Sequence, residues 1–355
     1  MASESGAWPG AAFAIAAALL FGVSTPLAKA LLGAGLDPQL LAGLFYLGSG
    51  LGLGIVFAVR GLIGRVAAEE RLRRRDWPQF ALAVLLGGVI APILMMLGLA
   101  RTSAASASLL QNLEGLATMA IAWIVYRENV DRRLLAGALA ILAGAMLLAW
   151  NGGSLRGGSG TLLIAAACLA WGADNNLTRP LAKADPVQIA AVKGLAAGTV
   201  NVSIAIALSA RLPDLRPVLL AGIVGFFAYG VSLVMYVLGL RHLGAARTAA
   251  YFSTAPFIGA ALAVALFSQP LSAKLLLAAA LMGLGLYWHL RERHAHPHRH
   301  EALEHAHRHT HDEHHQHAHG PGDPPGEPHS HWHRHEPLTH SHPHYPDLHH
   351  RHGHP

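Results

Sequence analysis

The sequence predicts an all-α membrane protein: two inverted repeats of five transmembrane helices, followed by a disordered histidine-rich tail. Three observations support this: ten apolar runs, an internal repeat at an offset of about 141–150 residues, and a change of composition near residue 294. The chain is 53% hydrophobic and 13% charged. Residues before 294 include 22 Lys and Arg against 12 Asp and Glu, whereas the tail has 4 Arg against 8 acids.

Each apolar run has roughly 19–24 residues, enough for a helix to cross a hydrocarbon core of about 30 Å. Helix is the expected conformation because it satisfies its own backbone groups in lipid. We therefore expect ten membrane-spanning helices in contact with a lipid bilayer. The runs fall near residues 10–32, 38–60, 78–100, 103–125, 132–150, 161–183, 187–209, 217–239, 244–267 and 272–290.

The internal repeat divides the membrane part in two. We expect the first repeat over residues 1–150, a Gly/Ser-rich linker over 151–160, and the second repeat over 161–293. Because each repeat has an odd number of spans, the second enters the membrane inverted relative to the first. The aligned pairs are Phe21-Gly22 with Trp171-Gly172, Asp37-Pro38 with Asp185-Pro186, Gly98 with Gly239, and Glu128 with Gln269.

The positions of the arginines predict the orientation. They concentrate in the loop over 61–77 and in the loop that holds Arg127, Arg132 and Arg133. Since cytoplasmic loops are rich in Lys and Arg, we expect both termini in the cytoplasm and the chain in a plasma (inner) membrane. These arginines lie between apolar runs, so we do not expect a nucleic-acid partner.

Two polar stripes inside apolar runs are the predicted substrate- or ion-binding site. An ionisable residue near a helix centre costs about 2.5–3.5 kcal/mol to insert, so each one needs a reason. Tyr251 is added because it precedes Pro256, which interrupts the ninth run. Packing is the alternative for Tyr251. The site residues are Gln111, Asn112 and Glu114 in the fourth run, Trp171, Asp174, Asn175 and Thr178 in the sixth, Lys193 in the seventh, and Tyr251.

This set contains two carboxylates and one ammonium, so one acid is in excess. The hypothesis is that Glu114 or Asp174 carries a coupling proton while the other orients a polar or cationic substrate. The alternative is a buried structural network in which Lys193 pairs with Glu114 or with Asp174. For Lys29 and Arg179, near span ends, the alternatives are snorkelling to the interface and a substrate role.

The organisation over roughly 10–290 resembles the EamA type of the drug/metabolite transporter superfamily. Residues 103–133 look like that family's fourth span with the helix-closing acid Glu128, and residues 247–267 look like its counterpart with Pro256. Two departures are Glu114-Gly115 where a proline is common, and Gln269 in place of the second closing acid. The resemblance implies ten spans, an inverted repeat and, most often, export of amino acids, metabolites or drugs.

The tail, residues 294–355, holds 23 histidines in 62 positions and cannot bury a core, so we expect it to be disordered. Imidazole is a ligand for Zn, Ni, Co and Cu, so the tail is a predicted metal-binding segment. In an extended chain, His-x-His pairs can bring two imidazoles to one ion; in a helix, His305/His309 and His307/His311/His315 would share a face. A tolerated, solvated extension is the alternative. The predicted ligands are His305, His307, His309, His311, His315, His329, His331, His333 and His335.

Three functions remain open at this point. The first is proton-coupled export of a small polar metabolite such as an amino acid, with a regulatory metal-binding tail. The second is transport of a divalent ion such as Ni, Co or Zn, and the third is a membrane-tethered metal store. No motif requires a cofactor, and the sequence shows no phosphate loop or nucleophile–base pair, so we do not expect an enzyme. The sequence does not predict an oligomeric state.

Overall fold

The structure is a computed structural model. It describes residues 7–63, 72–126, 132–150, 158–178, 181, 184–211, 213–290, 294–299, 303–309, 329–335 and 339–344. Apart from the four tail strands, its regular structure is helical.

The first repeat contains eight α-helices and two short irregular helical turns. A 3₁₀ turn over Arg74–Asp76 leads into α4, and a π-helical turn over Val84–Ile90 joins α4 to α5. The helices are α1 Ala7–Gly22, α2 Ser24–Gly33, α3 Pro38–Leu62, α4 Trp77–Ala83, α5 Ala91–Ala100, α6 Ala104–Leu110, α7 Asn112–Tyr126 and α8 Arg132–Ala149.

The second repeat follows the same plan with six α-helices. Its π-helical turn over Phe226–Val231 joins α11 to α12, at the place that corresponds to the π-helical turn of the first repeat. The helices are α9 Ser159–Thr178, α10 Pro186–Ala207, α11 Leu215–Gly225, α12 Ser232–Phe252, α13 Ala255–Phe267 and α14 Ala273–Leu290.

Seven of the ten predicted spans are long and apolar enough to cross a membrane by length and composition. These are Gly10–Gly33, Pro38–Leu62, Arg74–Ala100, Ala104–Val125, Arg132–Ala149, Pro186–Ala207 and Leu215–Gly239. Helices α9, α13 and α14 occupy the sixth, ninth and tenth apolar runs. Large apolar side chains in mid-helix face outward, as a lipid-exposed surface requires: Ile55, Ile124 and Met146 are 65%, 72% and 64% exposed.

The aspartate–proline pairs begin equivalent helices in the two repeats. Asp37 accepts a hydrogen bond from the backbone nitrogen of Leu40 at 3.0 Å, and Asp185 accepts one from that of Val187 at 2.8 Å. A proline follows each aspartate at the first helical position, where its missing N–H is not needed. The aspartates of these two aligned pairs are therefore the N-caps of α3 and α10.

Contacts between the repeats come in pairs related by an approximate two-fold axis. A Cβ on Gly144 of α8 would lie 3.0 Å from the carbonyl oxygen of Ala278, and a Cβ on Gly285 of α14 would lie 2.5 Å from that of Gly137. The offset of 141 that aligns Glu128 with Gln269 also exchanges Gly144 with Gly285 and Gly137 with Ala278. The same contact is thus made twice, with the two repeats in exchanged roles.

Helices α3 and α10 show the same exchange at closer range. Gly50 packs on the backbone of Leu195, and Gly198 packs on that of Leu47, positions exchanged by the offset that aligns Asp37 with Asp185. A side chain at either glycine would overlap the facing backbone, so only glycine permits this approach. The axis between the repeats runs through this crossing and through the α8–α14 pair.

The described residues of the tail form four strands in two antiparallel pairs. Strand β1 His294–Arg299 pairs with β4 Thr339–His344, and β2 Leu303–His309 pairs with β3 His329–His335. This differs from the predicted disorder and from the helical spacing considered for residues 305–315. Histidine recurs at every second position, which is the period of a strand. The strands agree with the extended His-x-His arrangement that was the other possibility for the tail. His311 and His315 lie outside the described residues.

Candidate functional site

The centre of the candidate site is a proline-interrupted stretch of the third span. Pro92 follows a π-helical turn and has no N–H to donate. The carbonyls of Gly87 and Gly88, five and four residues before it, therefore lack the donor that would normally close the helix. Side chains from other helices replace the missing donor. Tyr46 Oη and Trp171 Nε1 donate to the Gly87 oxygen at 2.7 Å and 3.0 Å, and Asn201 Nδ2 donates to the Gly88 oxygen at 2.9 Å.

A buried ion pair lies beside this turn. Lys193 Nζ of α10 donates to Asp174 Oδ2 of α9 at 2.5 Å, and Thr178 Oγ1 donates to Asp174 Oδ1 at 3.0 Å. The side chains of Lys193 and Asp174 are 14% and 7% exposed. A Cβ on Gly87 would overlap the Asp174 carboxylate, so this glycine makes room for the acid.

Glu114 lies on α7 near this pair, with neutral hydrogen-bond partners. Asn175 Nδ2 donates to Glu114 Oε1 at 3.0 Å and to Thr118 Oγ1 at 3.2 Å. Asp174 and Lys193 both interact with the Glu114 carboxylate electrostatically. Among the described residues no Lys or Arg forms an ion pair with Glu114. Asn175 is exposed and Glu114 half-buried, so this end of the site is accessible.

Aromatic rings from both repeats line the other side. The ring of Tyr229 lies in the second π-helical turn, with centroids 5.9, 5.5 and 5.3 Å from those of Phe21, Phe45 and Tyr46. Ser24, the position aligned with Asp174, donates its hydroxyl to the Phe21 carbonyl at 2.6 Å. The first repeat therefore has a neutral hydroxyl where the second has a carboxylate.

The side chains of three of the nine predicted site residues form no hydrogen bond with this group among the described residues. Gln111 Nε2 donates to Thr25 Oγ1 at 2.6 Å across α2 and the break between α6 and α7. Asn112 Nδ2 donates to the Leu109 carbonyl at 2.8 Å and lies 4.0 Å from Met282 Sδ. Tyr251 is 38% exposed at the end of α12. The structure brings the other six together: Glu114, Trp171, Asp174, Asn175, Thr178 and Lys193.

Several residues at the site were not predicted from the sequence. Tyr46 and Asn201 complete the interrupted turn, Thr118 holds Asn175, and Tyr229 faces the centre. The sequence does indicate that donors such as Tyr46 and Asn201 are needed, because Pro92 leaves the carbonyls of the two glycines before it without a helical donor. The sequence does not say which helix supplies them.

Lys29 has a structural contact that the sequence left open. Its Nζ donates to the carbonyls of Leu99, Ala100 and Thr102 at 2.6, 3.3 and 2.8 Å. A cation at the carboxyl end of α5 satisfies carbonyls that have no helical partner and complements the helix dipole. Lys29 is thus a helix cap. Arg179 lies outside the described residues.

Among the residues whose side chains the structure describes, no group of three His, Cys, Asp or Glu is placed to hold a metal ion. The tail histidines do not belong to that set. Only their backbone register is described: His305, His307 and His309 lie opposite His333, His331 and His329, and His335 lies opposite Leu303.

Known proteins are similar to this chain in sequence and in fold. An uncharacterized transporter of Methanothermobacter thermautotrophicus strain Delta H is 29% identical over 294 residues, covering 78% of this chain and 85% of the relative. A crystal structure that is 21% identical has a TM-score of 0.59 and covers 79% of this chain and 94% of its own, so the fold is shared. Residues 8–150 and 158–291 both match the EamA-like transporter family. This multi-pass membrane protein therefore belongs to the EamA-like transporter family.

Proposed function

We propose that this transporter exports a small polar metabolite such as an amino acid in exchange for protons, with Glu114 as the proton carrier. The observation that supports this is the difference between the two acids. Lys193 neutralises Asp174 at 2.5 Å, whereas Glu114 accepts its hydrogen bond from the neutral amide of Asn175. An unpaired charge inside a membrane costs a few kcal/mol, and a bound proton removes that charge.

Asp174 and Lys193 would then recognise the substrate. An amino acid has an ammonium and a carboxylate, which match the carboxylate of Asp174 and the ammonium of Lys193. A substrate that separates the pair gives each buried charge a new partner and leaves neither unpaired. Thr178 holds the pair in place by its hydrogen bond to Asp174. Trp171 does so by its hydrogen bond to Gly87, which packs on the Asp174 carboxylate.

The test is transport by the full chain in liposomes under an imposed pH gradient, with a panel of amino acids and of divalent metals. We expect Glu114→Gln to abolish proton-driven flux but to retain exchange of labelled for unlabelled substrate, because the substrate pair is intact. Asp214→Asn also replaces a carboxylate by an amide, but at an exposed acid outside the site. It is the matched control and should transport normally. Full proton-driven flux by Glu114→Gln would exclude Glu114 as the proton carrier.

We propose further that the tail binds Zn, Ni, Co or Cu and regulates the transporter. The register of β2 and β3 supports this: three histidine pairs lie directly opposite one another. Opposite residues in an antiparallel pair have Cβ atoms about 4.5–5.5 Å apart, and side chains two positions apart share a face. Such an array offers several pairs of imidazoles to one ion. Metal binding should be lost on acidification because protons compete for the imidazoles.

Replacing the six facing histidines of β2 and β3, together with the six of β1 and β4, by asparagine separates the remaining alternatives. We expect the variant to lose metal binding in calorimetry while keeping amino-acid flux, since the membrane site is untouched. Metal flux by the wild-type chain, without amino-acid flux, would instead support a divalent metal transporter. Metal binding with no flux of either kind would support a membrane-tethered metal store.

A further inference from the structure

A second polar pocket lies at one end of the helix bundle, away from Glu114 and Asp174. It has a volume of about 230 Å³ and is formed where the turn between α5 and α6 meets the first residues of α9 and α14. Its polar lining includes Arg101, Lys274 and the hydroxyls of Thr102, Ser106, Thr161 and Ser272.

The charges of this lining have one sign. Two cations contribute to the wall and no carboxylate does. The Lys274 ammonium donates to the Trp150 carbonyl, which fixes its position at the wall, and Arg101 is exposed at the rim. A pocket with two cations and several hydroxyl donors, and no competing acid, is suited to an anion.

The backbone around the pocket is held in place. Lys29 binds the carbonyl of Thr102 at 2.8 Å, Gly160 packs against the Thr102 side chain, and Ser272 Oγ accepts from the Leu275 nitrogen at 3.2 Å as the N-cap of α14. Thr102, Ser272 and Lys274 are thus placed before a ligand arrives, which reduces the entropy lost on binding. The pocket volume is below the roughly 300–1,000 Å³ of sites for larger metabolites, so the fitting ligand is small.

We propose that this pocket binds a small anion of the phosphate or carboxylate class. The pocket is distinct from the proposed transport site and does not depend on it. The anion can be free in solution or can be the phosphate of a lipid headgroup, since both present the same oxygens. Arg101 provides the planar, charged donor group and Lys274 the second positive charge.

Calorimetry of the full chain in phosphatidylcholine nanodiscs, titrated with inorganic phosphate at constant ionic strength, tests the proposal. We expect saturable binding that Arg101→Gln weakens by about ten-fold or more, because a charged hydrogen bond is lost. Arg101→Lys should recover part of the affinity. Arg211→Gln removes an exposed arginine that does not line the pocket, and should leave binding unchanged.

Two outcomes would overturn the proposal: no saturable binding by the wild type, or equal weakening in Arg101→Gln and Arg211→Gln, which would indicate only general surface charge. A second titration in nanodiscs that contain phosphatidylglycerol identifies the source. If the headgroup occupies the pocket, phosphate binding disappears there, and Arg101→Gln retains less phosphatidylglycerol than Arg211→Gln. If phosphate still binds, the natural ligand is a soluble anion.

Discussion

Within the membrane the two acids differ because of what surrounds each carboxylate. Asp174 has a lysine, a threonine hydroxyl and the space left by a glycine, whereas Glu114 has an amide. The sequence predicted one acid in excess, with an ion pair of Lys193 as the alternative, and left open which acid Lys193 would pair with. The choice depends on the distance between α9 and α10, which no residue pattern encodes.

The Asp174–Lys193 pair should couple strongly in stability. Lys193→Met leaves a buried carboxylate without its cation, so we expect the free energy of unfolding in detergent to fall by about 3–5 kcal/mol. The double variant Asp174→Asn with Lys193→Gln removes both charges and should lose less than the single one. Denaturant titration checks this, and equal losses in the two proteins would contradict it.

Gly87 should tolerate no side chain. Gly87→Ala places a methyl group into the Asp174 carboxylate, and overpacking of this kind costs about 1–3 kcal/mol. Gly54→Ala is the matched control, because a Cβ there meets nothing within 4 Å and alanine favours the helix by about 0.5–1 kcal/mol. Thermal unfolding of both variants should therefore shift in opposite directions. A higher midpoint for Gly87→Ala would disprove the close approach.

At the scale of elements, the two π-helical turns are the least regular part of the fold and lie next to the site. Pro92 explains the first, since it removes the N–H that would close the turn on Gly87 and Gly88. The second, over Phe226–Val231, is followed by Leu233 where the first is followed by Pro92, and it presents Tyr229 to the centre. The two π-helical turns therefore lie at equivalent positions in the two repeats, although a proline explains only the first.

The hydrogen bond from Asn201 to Gly88 should matter most because Pro92 is present, whereas its bond from Gln39 Nε2 at 3.3 Å does not depend on Pro92. Asn201→Ala removes the donor to the buried Gly88 carbonyl, so we expect a loss of about 1–3 kcal/mol in unfolding free energy. In a Pro92→Ala background, residue 92 regains an N–H that can close the helix on Gly88. There the same substitution should lose about 1 kcal/mol less. Equal losses in both backgrounds would mean that Asn201 acts through its packing and its bond to Gln39 rather than through Gly88.

Much of the helical layout follows from the sequence, and much of the site does not. Apolar runs and Asp-Pro pairs predict helix positions because hydropathy and capping are local properties. The π-helical turns and the break at Gln111 depend on contacts between helices, so they were missed. Trp171 was predicted as a substrate ligand from its polar stripe. Its indole donates to Gly87, a partner 84 positions away that spacing along one helix cannot identify.

At the scale of the whole molecule, the repeat is visible as exchanged contacts. Equivalent glycines in α8 and α14, and in α3 and α10, each face the other repeat. Small residues at these crossings let the repeats share a close interface, while large apolar side chains face outward. Such paired units typically rock against each other to expose a central site alternately to each side.

The proposed orientation can be tested by labelling. Cys168 is buried, so Cys168→Ala provides a background without cysteine. In intact cells a membrane-impermeant maleimide should label Ser272→Cys, which is exposed at the end of the bundle predicted to lie outside. Arg74→Cys, exposed at the opposite end, should react only after permeabilisation. The reverse pattern would place the termini outside.

The ion pair that only one repeat carries has an energetic consequence for the resting protein. In a carrier of perfect two-fold symmetry, the axis would convert the inward-open state into the outward-open state, so the two would be degenerate. Asp174 faces Ser24 in the alignment and Lys193 faces Phe45, and this lifts the degeneracy. The empty protein should therefore rest mainly in one of the two states, and each transport cycle starts from that state.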